Sequence, residues 1–124
     1  MTDPLYVAIC KRCRWPARIA KGADDDVALH ACAEARCAER DDGARAWRSQ
    51  CLNCCDGGHT VRLERGDDEV YVVGIRTVAE MDALLADADR IVALDLPPKW
   101  RKRVYQVWRD GEMTWHINLD EPLP

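Results

Sequence analysis

Two short apolar runs joined by a turn constrain this chain more than any other feature. Thr60-Val61-Arg62-Leu63-Glu64-Arg65 alternates apolar with polar residues, and Val70-Tyr71-Val72-Val73 is again β-branched and aromatic. Period-two alternation is the pattern of a half-buried strand, and the intervening Gly66-Asp67-Asp68 is turn chemistry, so residues 60 to 75 read as a hairpin. A two-stranded hairpin is marginal alone in water and needs further strands or a helix against its apolar face. The flanking sequence supplies both.

Upstream, Leu5-Tyr6-Val7-Ala8-Ile9 reads as a buried first strand ending at Cys10, and Pro16, Gly22 and Asp24 to Asp26 suit a loop leading to the acidic start of a helix. From Val27 to about Arg40, Leu29, Ala33 and Cys37 fall on one helical stripe with Cys32 beside it. Gly43 ends that helix, and Ala44 to Gln50 reads as a second strand leading into Cys51. Downstream, Thr77-Val78-Ala79-Glu80 is a capping box, and Val78, Met81, Leu85, Ala88 and Val92 continue at helical spacing until Pro97-Pro98, which reads as a helix from Val78 to about Asp89. Beyond the prolines, Asp110-Gly111 favours a two-residue turn pairing Arg109 with Glu112 and Trp108 with Met113; a helix from Pro98 is the competing reading.

The expected order is strand, helix, three strands, helix and an appendage. A strand, crossover helix and parallel strand followed by an antiparallel hairpin and a covering helix is an α/β (α+β) arrangement, the βαβββα core of the thioredoxin-like architecture with a C-terminal β-hairpin appendage. It divides the chain into residues 1–96 and an appendage, 97–124, packed on the same domain. In that layout the first two strands end at the same edge of the sheet, which makes Cys10 and Cys51 neighbours.

The chain has 124 residues, a size for one domain with its own core, and 48% hydrophobic with 32% charged residues is a globular composition. No apolar run reaches the length of a membrane span and Met1-Thr2-Asp3-Pro4 is unlike a signal peptide, so no membrane association and a cytoplasmic location are expected. A net charge of -4 argues against a general nucleic-acid binder. Locally, Lys11, Arg12, Arg14, Arg18 and Lys21 form a basic stretch and Lys99 to Arg103 a second one, which reads as a solvated face with Trp100 covering the edge of the core.

Seven cysteines in a reducing compartment point to metal or redox chemistry rather than structural disulfides. Cys32 and Cys37 lie on the helix stripe and read as core. Cys10 and Cys13 form one pair at the end of a strand, and Cys51, Cys54 and Cys55 cluster before Gly57-Gly58, where glycines let the chain turn tightly. His59 reads as a loop residue making a hydrogen bond, with a ligand role as the alternative, and His30 and His116 read as ordinary residues. Four thiolates suit a 2Fe-2S cluster and a structural zinc site equally. A simple zinc ribbon has about 15 to 20 residues between its pairs, whereas residues 14–50 separate Cys13 from Cys51 here.

Cys51-Leu52-x-x-Cys55 with Gly58 and Val61 resembles the signature of thioredoxin-like 2Fe-2S ferredoxins, in which a strand-end cysteine and a CLxxCxxGPxV loop supply the ligands. The chain is more similar still to a family of small predicted metal-binding proteins that begin with a strand and a CxxCRW-like segment, here Cys10-Lys11-Arg12-Cys13-Arg14-Trp15. That family continues with CLxxC, TVxL and a Tyr-x-x-Gly strand, here Thr60-Val61-Arg62-Leu63 and Tyr71-Val72-Val73-Gly74. The resemblance spans roughly residues 5 to 90, the range of one domain. It implies Cys10, Cys13, Cys51 and Cys55 as ligands, with Cys13 in place of the ferredoxins' later second cysteine and His59 where they carry proline. Cys54 is a spare thiol or the true partner of Cys51.

Three functions follow as expectations. The first is a 2Fe-2S protein, non-enzymatic, passing electrons to a redox partner protein that the basic stretch steers. The second is a zinc-binding or metal-handling accessory protein. The third is a thiol oxidoreductase using Cys10 and Cys13, ranked last because no proline precedes the third strand. An edge strand and the tryptophan-rich appendage offer surfaces for a homodimer.

Overall fold

The computed structural model describes residues 3–10, 22, 24–50 and 58–116, with Trp115 and His116 described by their backbone alone. In chain order the elements are β1 (Leu5–Cys10), α1 (Asp26–Ala38), β2 (Arg45–Ser49), β3 (His59–Arg65), β4 (Asp68–Ile75), α2 (Val78–Ala86), α3 (Ala88–Val92), α4 (Pro98–Arg101), β5 (Val104–Arg109) and β6 (Glu112–His116). The strands make one mixed sheet in the order β2-β1-β3-β4-β5-β6. β1 and β2 run parallel, joined through α1, and every other neighbouring pair is antiparallel.

Turn chemistry sets the register of both hairpins. At the β3–β4 turn only Gly66, of its two central residues, has positive φ (59°), and Arg65 pairs with Asp68 across it. At the β5–β6 turn Asp110 (φ 52°) and Gly111 (φ 79°) are both left-handed, the type I′ pattern that matches strand twist. Arg109 pairs with Glu112 and Trp108 with Met113, as the Asp-Gly turn implies. The competing helix also forms, as the single turn α4 before the hairpin. β5 pairs with β4, so the sheet continues without a gap past residue 96.

One face of the sheet carries the core. Leu5, Val7 and Ile9 of β1, Val61 and Leu63 of β3, and Val70 and Val72 of β4 pack against Leu29, Ala33 and Cys37 of α1 and Met81, Leu84 and Leu85 of α2. By alternation, Tyr6, Ala8 and Cys10 belong to the opposite face. Both helices begin at the same edge of the sheet. The Asp25 carboxylate accepts from the Ala28 amide (2.8 Å) to cap α1, and Thr77 accepts from the Glu80 amide (3.1 Å) to cap α2. Asp24 ties the two starts together: its amide donates to Arg76 O (2.7 Å) and its carboxylate accepts from the Val78 amide (2.8 Å). The return bond of the capping box lands one residue early, with Glu80 accepting from Arg76 rather than Thr77 (2.9 Å). Among the described residues no helix is long and apolar enough to cross a membrane.

The expected continuous helix from Val78 to about Asp89 is interrupted. α2 stops at Asp87 (φ -103°, ψ 6°), and α3 restarts at Ala88. A long-range bond meets the chain at the break: Trp100 Nε1 donates to Asp87 Oδ2 (2.8 Å), tying that residue to α4. The stripe survives the break, with Met81, Leu85, Ala88 and Val92 all buried and joined inside by Leu84 and Ile91, while Val78 at the start of α2 is 38% exposed. Trp100 is not an edge cover. It is 1% exposed, part of the core, with the Lys99 ammonium and the Arg103 guanidinium 4.9 and 5.2 Å from its ring centroid.

At the far end of the sheet from Cys10 an ion-pair network joins α1, β3 and α3. Arg40 pairs with Asp42 (2.9 Å) and Asp89 (2.8 Å), and Arg65 with Asp89 (2.6 Å). The Arg40 guanidinium holds the Asp42 carboxyl down to about 2. A depressed carboxyl contributes stability that is full above the unfolded value of about 4 and is lost as pH falls through the folded one. The urea midpoint is therefore expected to drop between pH 4 and 2, and less steeply in Asp42→Asn. Parallel profiles for the two proteins would remove Asp42 as a source of acid sensitivity.

Candidate metal centre

Cys10 closes β1 between two flanking strands. On one side Tyr6 to Cys10 pair in parallel with Arg45 to Ser49, setting Cys10 opposite Ser49, two residues before Cys51. On the other, Leu5 to Ile9 pair antiparallel with Arg65 to Val61, so β3 enters beside Cys10 at His59. The chain therefore leaves β2 on one flank of Cys10 and re-enters the sheet on the other. The start of α1 reaches the same edge, where the buried Asp26 carboxylate meets Arg48 of β2 (3.1 Å).

Cys10 is 1% and His59 3% exposed, and Cys10 Sγ lies 3.9 Å from His59 Nδ1. His59 is thus not a loop residue but the first residue of β3. Gly58 explains how the chain reaches this position. A Cβ there would stand 2.7 Å from Gly74 C and Ile75 O and 2.8 Å from Ile75 C, so only glycine lets the entry to β3 press against the end of β4. His59 pairs with Ile75, and an irregularity between His59 and Val61 offsets the register. Gly57 lies outside the described residues, and Gly58 stands in a bend where it also serves this backbone-to-backbone contact.

Cys13, Cys51, Cys54 and Cys55 lie outside the described residues. Among the described residues no three His, Cys, Asp or Glu side chains come together to hold a metal ion. Cys10 and His59 are brought together.

The helix cysteines are packing groups. Cys37 is 4% exposed within the core, and burial pushes its thiol up. Cys32 is half-buried with Sγ 3.7 Å from Asp82 Oδ1, and burial first, then the Asp82 charge, push its thiol up too. Neither is poised as a thiolate. His30 Nε2 lies 3.1 Å from Ala46 O and joins α1 to β2. A cavity of about 450 Å³ opens at the opposite end of β1, lined by Leu5, Arg36, Cys37, Arg40, Asp82 and Leu85. Its arginines are already engaged, Arg36 with Asp82 and Arg40 with Asp42, so it offers no uncompensated charge. Compared with known proteins, the chain matches no family model, no curated protein and no solved structure.

Proposed function

We propose that this chain is a small iron-sulfur protein of thioredoxin-like architecture, holding a 2Fe-2S cluster through Cys10, Cys13, Cys51 and Cys55. The observation that carries the reading is the register at the end of β1. Ser49 of β2 stands opposite Cys10, and β3 begins on the other side at His59, so residues 50–58, with three cysteines, start and finish at the flanks of Cys10. The sheet order β2-β1-β3-β4 with only β1 and β2 parallel supports the fold assignment, β5 and β6 being additions at one edge.

The donor chemistry fits. Cys10 is a sulfur removed from water at a strand end, where the backbone is held by ladders on both sides. Thiolate sulfur is the ligand that iron-sulfur clusters use, and a bound cluster would supply one-electron chemistry. Lys11, Arg12 and Arg14 follow Cys10 directly in sequence and would offset the negative charge of a four-thiolate centre and attract an acidic redox partner.

A second reading, a zinc-binding module, draws on the buried imidazole beside Cys10, since nitrogen and sulfur donors together suit zinc. The thiol oxidoreductase reading is disfavoured by the same burial, because an attacking thiol must be reachable and Cys10 is 1% exposed. The deciding measurement is the visible absorption spectrum of protein purified without oxygen, before and after dithionite, with iron, zinc and sulfide determined. Red-brown bands that bleach on reduction, with iron and sulfide in equal amounts, are expected. A colourless protein carrying zinc would replace the cluster by the second reading, and one carrying no metal would end both.

A further inference from the structure

A histidine removed from water needs partners for its ring nitrogens, and the imidazole of His59 has one polar contact among the described residues, the sulfur of Cys10. That pairing is unrewarding for a neutral thiol, because thiol sulfur is a weak acceptor. It becomes favourable when the sulfur carries charge, because hydrogen bonds to ionised acceptors are roughly twice as strong as neutral ones. We infer that His59 is a positioning residue for the metal centre, donating a hydrogen bond from Nδ1–H to the Cys10 sulfur once that sulfur is bound to metal. This rests on the reading of Cys10 as a ligand given above and adds a role for a residue outside the ligand set.

The geometry is held from both ends. Cys10 cannot retreat, because β1 is paired on both sides up to Ile9 and on the β2 side through Cys10 itself. His59 cannot retreat either, since Gly58 is pressed against the backbone of Gly74 and Ile75 and His59 pairs with Ile75. The ring nitrogen and the sulfur therefore face each other in a site built before any metal arrives. A hydrogen bond to a coordinating thiolate draws electron density from the sulfur, so it weakens donation to the metal and favours the more electron-rich state of the centre.

The test uses the full chain loaded with Co²⁺ alone, whose sulfur-to-metal absorption band reports the electron density on the thiolate. In His59→Leu and His59→Gln the band is expected at lower energy than in the wild-type protein, because neither side chain can place a donor where Nδ1 stands. In His59→Asn, whose amide nitrogen can occupy the Nδ1 position, the band is expected to return toward the wild-type energy. Cobalt stoichiometry is expected to be the same in all four proteins. A band that does not move in the Leu and Gln variants, or moves equally in the Asn variant, would overturn the inference. So would loss of bound cobalt in the folded Leu, Gln and Asn variants, which would make His59 a ligand instead. Absence of any thiolate band in the wild-type protein would overturn the ligand role of Cys10 itself, and that failure is seen without any variant.

Discussion

Trp100→Ala is expected to be the most destabilising single change in this chain, costing about 3–5 kcal/mol, the range for truncating a large buried aromatic. Trp100 is the largest fully buried side chain among the described residues, and it stands over the break between α2 and α3. Three losses coincide: a large volume of core packing, the bond to Asp87 Oδ2, and the ring on which the Lys99 and Arg103 charges rest. Trp100→Phe separates them. It keeps most of the apolar contact but leaves the Asp87 carboxylate without its donor, and should cost about 1.5–3 kcal/mol, the range for a hydrogen bond to a charged group. Urea unfolding of the two variants beside the wild-type protein reads both numbers. Equal losses in Phe and Ala would assign the effect to the hydrogen bond, and a loss below about 1 kcal/mol in Trp100→Ala would contradict its place in the core.

Gly58→Ala is expected to cost about 3 kcal/mol, at the upper end of the usual range for overpacking, because the added carbon meets backbone rather than a side chain that could rotate away. The atoms it meets, Gly74 C, Ile75 O and Ile75 C, lie within the β3–β4 pairing. Gly111→Ala is the control. There a Cβ finds nothing within 4 Å, but φ is +79°, so only backbone strain of about 1–2 kcal/mol is expected. Gly58 is thus a steric requirement and Gly111 a conformational one. Equilibrium unfolding separates them: the Gly58 variant should lose clearly more, and should also disturb the Cys10–His59 contact by shifting the start of β3. Equal or smaller loss at Gly58 would show that the strand entry can move aside.

The local parts of this fold were legible because their signals are local. The alternation of Thr60 to Arg65 and the Asp110-Gly111 pair predict strands and register from a few adjacent residues, and the stripe of Leu29, Ala33 and Cys37 predicts the buried face of α1. The misreadings share one feature, a partner distant in sequence. The helix from Val78 breaks at Asp87, the residue that accepts from Trp100, and the Glu80 side chain caps Arg76 while also pairing with Arg103. Neither partner can be seen from the helical pattern.

Half of the candidate centre was legible in the same sense. That β1 and β2 end at one edge follows from the strand, helix, strand order, and the register of Cys10 with Ser49 agrees with it. The burial of His59 against Cys10 depends on Gly58 meeting β4, a contact between segments that sequence spacing does not reveal. The expected ligands Cys13, Cys51 and Cys55, and the spare Cys54, lie outside the described residues.

The placement of Ser49 and His59 on the two flanks of β1 has a consequence for reach. Two strand spacings separate them laterally, about 10 Å. Residues 50–58, which join them, can extend to about 30 Å. A turn made only to link neighbouring strands commonly uses two to five residues. This connection therefore has roughly three times the contour length that its gap requires, and three of the seven cysteines fall within the surplus. On the proposed reading, that length would be enough for sulfur to close around an object several ångströms across while β2 and β3 stay in register. The sheet would not have to deform to accept a metal centre there.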